Sequence, residues 1–221
     1  MTKKTIASFA LLSSLVLGAL GSVGVHAQAA PNAEQSAQAP RYVTLDNPQA
    51  TATQEGEVEV LEFFAYSCVH CANAEPILAA WIETQPENVK LQRVPIAFNR
   101  GMTDLQRAYF TFESLDRMDL HQAFFDAIHK DQQRLFDEKA ITQWAKDQGI
   151  DPKKFNATFH SFGVNTRVDQ ANQLAKTYHI ESTPSMAVDG RYIVSPTYTY
   201  TLQGMVDQAD DLVKERLAAT N

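Results

Sequence analysis

The stretch Val58-Glu59-Val60-Leu61-Glu62-Phe63-Phe64-Ala65-Tyr66-Ser67-Cys68-Val69-His70-Cys71 carries a strand signal and a reactive-cysteine motif back to back. Residues 58–64 are rich in β-branched and aromatic side chains, which favours a strand. Their mostly apolar end suits a strand covered on both faces. Cys68 comes immediately afterwards. A helix is predicted over 68–84, with Ile77, Leu78, Trp81 and Ile82 on its apolar side. Pro76 lies inside it and predicts a kink, since proline removes a backbone donor and crowds the preceding turn.

This placement matters for chemistry. The thiolate is the nucleophile, and an ordinary thiol is mostly protonated. A cysteine at a helix start faces unpaired backbone N–H groups and the positive end of the helix dipole, and both stabilise a thiolate. Ser67 is expected to help as the N-cap. Two intervening residues put Cys71 one turn further on, close enough to form a disulfide with Cys68. The first sulfur then meets substrates and the second resolves the mixed disulfide. His70 can place a cation or a hydrogen-bond donor near the Cys68 sulfur, which would favour the reduced thiolate and make the disulfide more oxidising.

Outward from this stretch, 89–98 is a second strong strand, so 58–98 makes a strand–helix–strand unit with a right-handed crossover. Residues 42–45 can form a short first strand, and 47–56 a loop. Helices are predicted over 102–118, 120–130, 138–148, 152–161 and 164–178, from apolar residues recurring at spacings of three and four. Asp137 and Asp151 are plausible N-caps, the latter followed by Pro152 at the first helical position. The aromatic pairs Phe110/Phe112 and Phe124/Phe125 are expected to pack this block. Residues 185–188 and 191–194 are strands joined by Asp189-Gly190, the favoured two-residue hairpin turn. A last helix covers about 202–218. The fold class is therefore α/β, interrupted by a helical block at about 100–180.

The ends and the composition bound the function. Lys3 and Lys4, an apolar run over 6–25 and Ala27-Gln28-Ala29 make the three-part pattern of a cleaved signal peptide at 1–29. Residues 30–41, rich in Ala, Gln and Pro, are expected to be a flexible tail. Loss of 1–29 removes two lysines and no acid, so the formal charge goes from −7 to −9. That balance argues against nucleic acid as a partner, because phosphate binding needs a basic face. The chain has 2 cysteines. A protein exported to a disulfide-forming compartment commonly uses many for stability. One bridge across so small a loop constrains the unfolded chain little, so this pair points to chemistry. Cys-x-x-Cys with His70 could also supply zinc ligands. However, there is no second cysteine pair, and His121, His129, His160 and His179 show no metal-type spacing.

The chain resembles the DsbA family of periplasmic oxidases. The resemblance rests on Leu61-Glu62-Phe63-Phe64, on Cys-x-His-Cys, on the helical insertion and on Thr183-Pro184 before the hairpin. It implies a thioredoxin-like domain from 42–99 and 181–221 with a helical insertion domain at 100–180. It implies a cis Pro184 in a loop beside the cysteines, with Thr183 and Pro184 meeting extended substrate through the backbone. It makes Glu62 an acid beneath the active site, with Arg93 as a basic partner and Glu75 one helical turn after Cys71. Val69 stands where the family commonly has proline, and Thr183 where its best-known member has valine. Both departures bear on the redox poise.

The implied activity is donation of the Cys68–Cys71 disulfide to reduced, newly exported proteins in the periplasm. A membrane quinone reductase of the DsbB type reoxidises the enzyme, which is a monomer and needs no bound cofactor. Three other readings stay open on the residues: a reductase or isomerase of the same fold, a non-catalytic peptide-binding module using the Pro184 groove, and a zinc site.

Overall fold

The computed structural model describes residues 41–220. The predicted signal peptide and all but the last residue of the predicted tail lie outside the described residues.

The sheet has five strands: β1 (Val43–Thr44), β2 (Val58–Phe64), β3 (Val89–Pro95), β4 (Ser185–Val188) and β5 (Tyr192–Val194), in the order β1-β5-β4-β2-β3. Every residue of β2 is buried, as suits a mostly apolar strand covered on both faces. It runs parallel to β3, with Glu62 opposite Arg93, and antiparallel to β4, with Phe63 opposite Ser185. β3 stops at Pro95, three residues short of the predicted 98. Proline cannot donate to the ladder, and the next N–H, that of Ile96, bonds the Phe64 carbonyl at 2.7 Å and ties off the pair. The first strand is two residues long, against the four predicted.

Helix α1 (Val69–Glu83) follows β2 and buries Cys71, Ala74, Glu75, Leu78 and Trp81. These fall on one stripe at helical spacing. The helix runs through Pro76, whose side chain faces solvent. Its N-cap is Cys68 rather than the predicted Ser67. Cys68 has an extended backbone, and its own Sγ accepts the Cys71 N–H at 3.4 Å.

Five α-helices lie between β3 and β4: α2 (Thr103–Ser114), α3 (Leu120–His129), α4 (Glu138–Asp147), α5 (Pro152–Phe159) and α6 (Phe162–Thr177). Asp137 and Asp151 cap α4 and α5 through their carboxylates, as predicted. After the hairpin come a one-turn helix α7 (Pro196–Thr199), which the sequence reading did not anticipate, and α8 (Leu202–Thr220). Asp189 and Gly190 both take positive φ, as the turn demands.

The alternation along β2 divides the apolar interior. Val58 and Val60 pack with Met186, Val188 and the inner faces of α1 and α8. Leu61 and Phe63 face the other way, into an aromatic core built largely by α2–α6 and including Phe112, Phe124, Phe125 and Trp144. Both predicted aromatic pairs belong to that core. No helix among the described residues is long and apolar enough to cross a membrane.

Candidate active site

The site forms where β2 ends and β4 begins. Because Phe63 pairs with Ser185, the chain leaving β2 toward Cys68 runs beside the chain arriving at β4 through Thr183 and Pro184. The Thr183–Pro184 peptide bond is cis. The Ser185 hydroxyl donates to the Ser182 carbonyl at 2.9 Å and pins this loop. The Thr183 carbonyl lies 3.4 Å from Cys68 Sγ and accepts its S–H when the sulfur is protonated. A backbone acceptor beside a reactive sulfur suits a partner that docks in extended conformation.

The two cysteines are unequal. Cys68 is partly exposed, and Cys71 is fully buried one turn behind it. A hydrogen bond from the Cys71 thiol, outweighing the opposing effect of burial, lowers the Cys68 thiol to about 5. The Thr183 side chain and the backbone N–H groups of Cys71 and His70 add to this. Burial pushes the Cys71 thiol strongly upward, and the neighbouring Cys68 pushes it further. So Cys68 is a thiolate at neutral pH and Cys71 a thiol. One sulfur is ready to attack or to leave, and the other holds a proton in reserve. Val69 and His70 are both exposed, and His70 reaches the sulfur through its backbone N–H. Among the described residues, no hydrogen bond joins its imidazole to Cys68.

Beneath the cysteines the structure brings Glu62, Glu75 and Arg93 together. Glu62 is fully buried and its carboxylate has no hydrogen-bond donor among the described residues. Arg93 Nε lies 3.2 Å away, an ion-pair distance without hydrogen-bond geometry. Burial raises the Glu62 carboxyl to about 8, Glu75 adds to the rise, and Arg93 opposes it. Glu75 is the stronger partner of Arg93, whose Nε donates at 3.2 Å and whose Nη2 contacts the other carboxylate oxygen. Burial pushes Glu75 upward, but contacts with His121 and Arg93 outweigh it and hold the carboxyl below its ordinary value. Glu75 and Arg93 are therefore partners in a buried cluster, and neither is a solvated surface charge.

The sequence reading missed Tyr66 and His121. His121 lies on α3 beside Phe124 and Phe125, on the face that enters the core. A histidine at such a spacing needs a buried partner, which is the signal that could have found it. Its Nδ1 is 2.7 Å from the Tyr66 hydroxyl, and its Nε2 is 3.2 Å from Glu75. Burial lowers its pKa, so the ring is neutral.

A strand that delivers one exposed cysteine to a helix start, a second cysteine behind it and a cis-proline loop beside both define a thioredoxin-like redox protein. The chain belongs to the DSBA-like thioredoxin domain family, whose model matches residues 59–207. It is 48% identical over 182 residues to the thiol:disulfide interchange protein DsbA of Bordetella pertussis, covering 82% of this chain and 85% of that one. The Pseudomonas aeruginosa protein of the same name is 30% identical over 94% of this chain and 99% of its own. The crystal structure of Pseudomonas aeruginosa DsbA superposes with a TM-score of 0.76 at 32% identity, covering 82% of this chain and 95% of that one.

Proposed function

We propose that this protein is a dithiol oxidase that donates the Cys68–Cys71 disulfide to reduced proteins in the periplasm. The observation that carries this reading is the inequality of the two sulfurs, with a partly exposed Cys68 stabilised as the thiolate and a buried Cys71 held as the thiol. In the oxidised enzyme a substrate thiolate attacks Cys68 Sγ, the Cys68–Cys71 bond breaks, and Cys71 leaves with the electron pair and takes a proton. A second substrate thiolate then attacks the substrate sulfur of the mixed disulfide. The stabilised Cys68 thiolate is expelled. Two electrons pass from substrate to enzyme, and the substrate keeps the new disulfide.

In this reading the backbone of Thr183 and Pro184 receives the extended substrate, and Val69 and His70 tune the Cys68 thiolate from within the motif. Glu62, Glu75 and Arg93 adjust the proton balance beneath it. No further cofactor enters, since the disulfide itself holds the two-electron capacity. Residues 1–29 direct export and are removed. The thioredoxin-like part comprises 42–99 and 181–221, with the insertion at 100–180. The enzyme works as a monomer and is returned to the oxidised state by a membrane quinone reductase of the DsbB type.

The test mixes oxidised protein with a reduced, unfolded protein substrate and counts substrate thiols. The expected result is two thiols lost per enzyme disulfide, and none with Cys68→Ser. A wild-type protein that leaves the substrate thiols intact would overturn the proposal.

A further inference from the structure

Tyr66 lies two residues before Cys68 and is gripped at both ends by one helix. Its hydroxyl is 2.7 Å from Nδ1 of His121, near the start of α3. Its carbonyl oxygen is 2.8 Å from Nε2 of His129, the last residue of α3. A carbonyl can only accept, so His129 Nε2 carries the hydrogen. At the other end the chemistry is equally constrained. Glu75 is held ionised and can only accept. The neutral His121 ring therefore keeps its proton on Nε2, facing Glu75, and Nδ1 accepts from the Tyr66 hydroxyl. The Nε2 contact with Glu75 is at 3.2 Å and off the line of a good hydrogen bond. The Tyr66 bond is thus the firmer of the two.

Packing fixes the clamp. Tyr66 is 1% exposed, and its ring lies edge-on to Phe124 at 4.7 Å and to Phe125 at 4.8 Å, both also on α3. The neighbouring Ala65 carbonyl accepts the Cys68 N–H at 2.9 Å. A shift of Tyr66 therefore moves the backbone that sets the start of α1, where the Cys68 sulfur collects its donors.

We propose that His121 and His129 are positioning residues for the redox pair, holding Tyr66 at hydroxyl and carbonyl so that α3 fixes where Cys68 sits against its hydrogen-bond donors. The insertion is then a working part of the thiol site as well as a cover for the core. The inference rests on the dithiol reading above and extends it to α3.

Three variants test it: Tyr66→Phe, which removes one oxygen; His129→Leu, which removes the donor to the carbonyl; and His129→Gln, which places an amide N–H near the Nε2 position. The readouts are the Cys68 thiolate titration by ultraviolet absorbance, the equilibrium constant with glutathione, and the unfolding midpoint. Tyr66→Phe and His129→Leu are expected to raise the Cys68 titration midpoint by at least half a pH unit. They should also favour the oxidised form in glutathione buffers at least threefold. His129→Gln should restore both values. Changes confined to the unfolding midpoint, with titration and equilibrium as in the wild type, would reduce the clamp to a structural role and overturn the inference. Should His129→Leu fail to fold, Tyr66→Phe alone decides between these results. A wild-type protein that does not exchange with glutathione would overturn the dithiol reading and this inference together.

Discussion

At the level of single residues, two titratable groups of the site are moved in opposite directions. The hydrogen bond from the Cys71 thiol and the backbone donors lower the Cys68 thiol to about 5 in the folded protein, against roughly 8.5 for a free thiol. Its lowered value contributes stability to reduced protein that is fully present above the unfolded pKa and is lost as pH falls through about 5. Oxidised protein lacks this titration. The stability difference between reduced and oxidised protein should therefore grow by about 1.4 kcal/mol per pH unit between pH 5 and 8. Urea unfolding of both forms across that range would show it, and a constant difference would contradict it. Glu62 behaves inversely. Its folded carboxyl is raised to about 8, so its contribution is complete below the unfolded value near 4.3 and fades as pH rises through 8. Glu62→Gln mimics the protonated acid and should remove that decline. Relative to wild type, it should gain stability from pH 5 to 8.5 by a few kcal/mol, and parallel profiles would argue against a buried, proton-holding Glu62. Glu62 was legible because an acid interrupts an apolar strand end. The link from Tyr66 through His121 to Glu75 was not, because it joins three segments that only the tertiary fold brings together.

At the scale of elements, most of the architecture follows from local chemistry. The Cys68 helix start, the Asp137 and Asp151 caps and the Asp189-Gly190 turn are all written in short sequence patterns. The ends of elements are less so. Ser67 looked like the better cap, yet a cysteine sulfur accepts the N–H once the strand and the proline loop fix the chain direction. Helix α7 begins at Ser195-Pro196, a start signal, but its single turn has no periodicity to extend that signal into a helix. The hairpin offers a test of its own. Gly190 has φ +64°, and a Cβ there would sit 2.1 Å from the Gln49 carbonyl oxygen. Gly190→Ala should cost about 2 kcal/mol or more through left-handed strain and that clash. The turn lies at the end of β4 remote from Pro184, so the Cys68 titration should stay unchanged. Calorimetry together with the thiol titration checks both parts.

At the scale of the whole molecule, one sheet separates two jobs. On the α1 and α8 face, aliphatic side chains hold the reactive helix to the strands. On the other, the aromatic core of α2–α6 reaches back to the cysteines through Tyr66. The sequence showed that a helical block interrupts the α/β pattern, but not that α3 touches the active-site loop, because periodicity tells which face is buried and not against what. If this arrangement makes an oxidant, the reduction potential of the Cys68–Cys71 couple will show it. Equilibration with glutathione buffers at pH 7 should give a value close to that of the reference member of the family, about −120 mV. A value near the thioredoxin reference, about −270 mV, would mean that electrons flow outward from this protein and that it is a reductant.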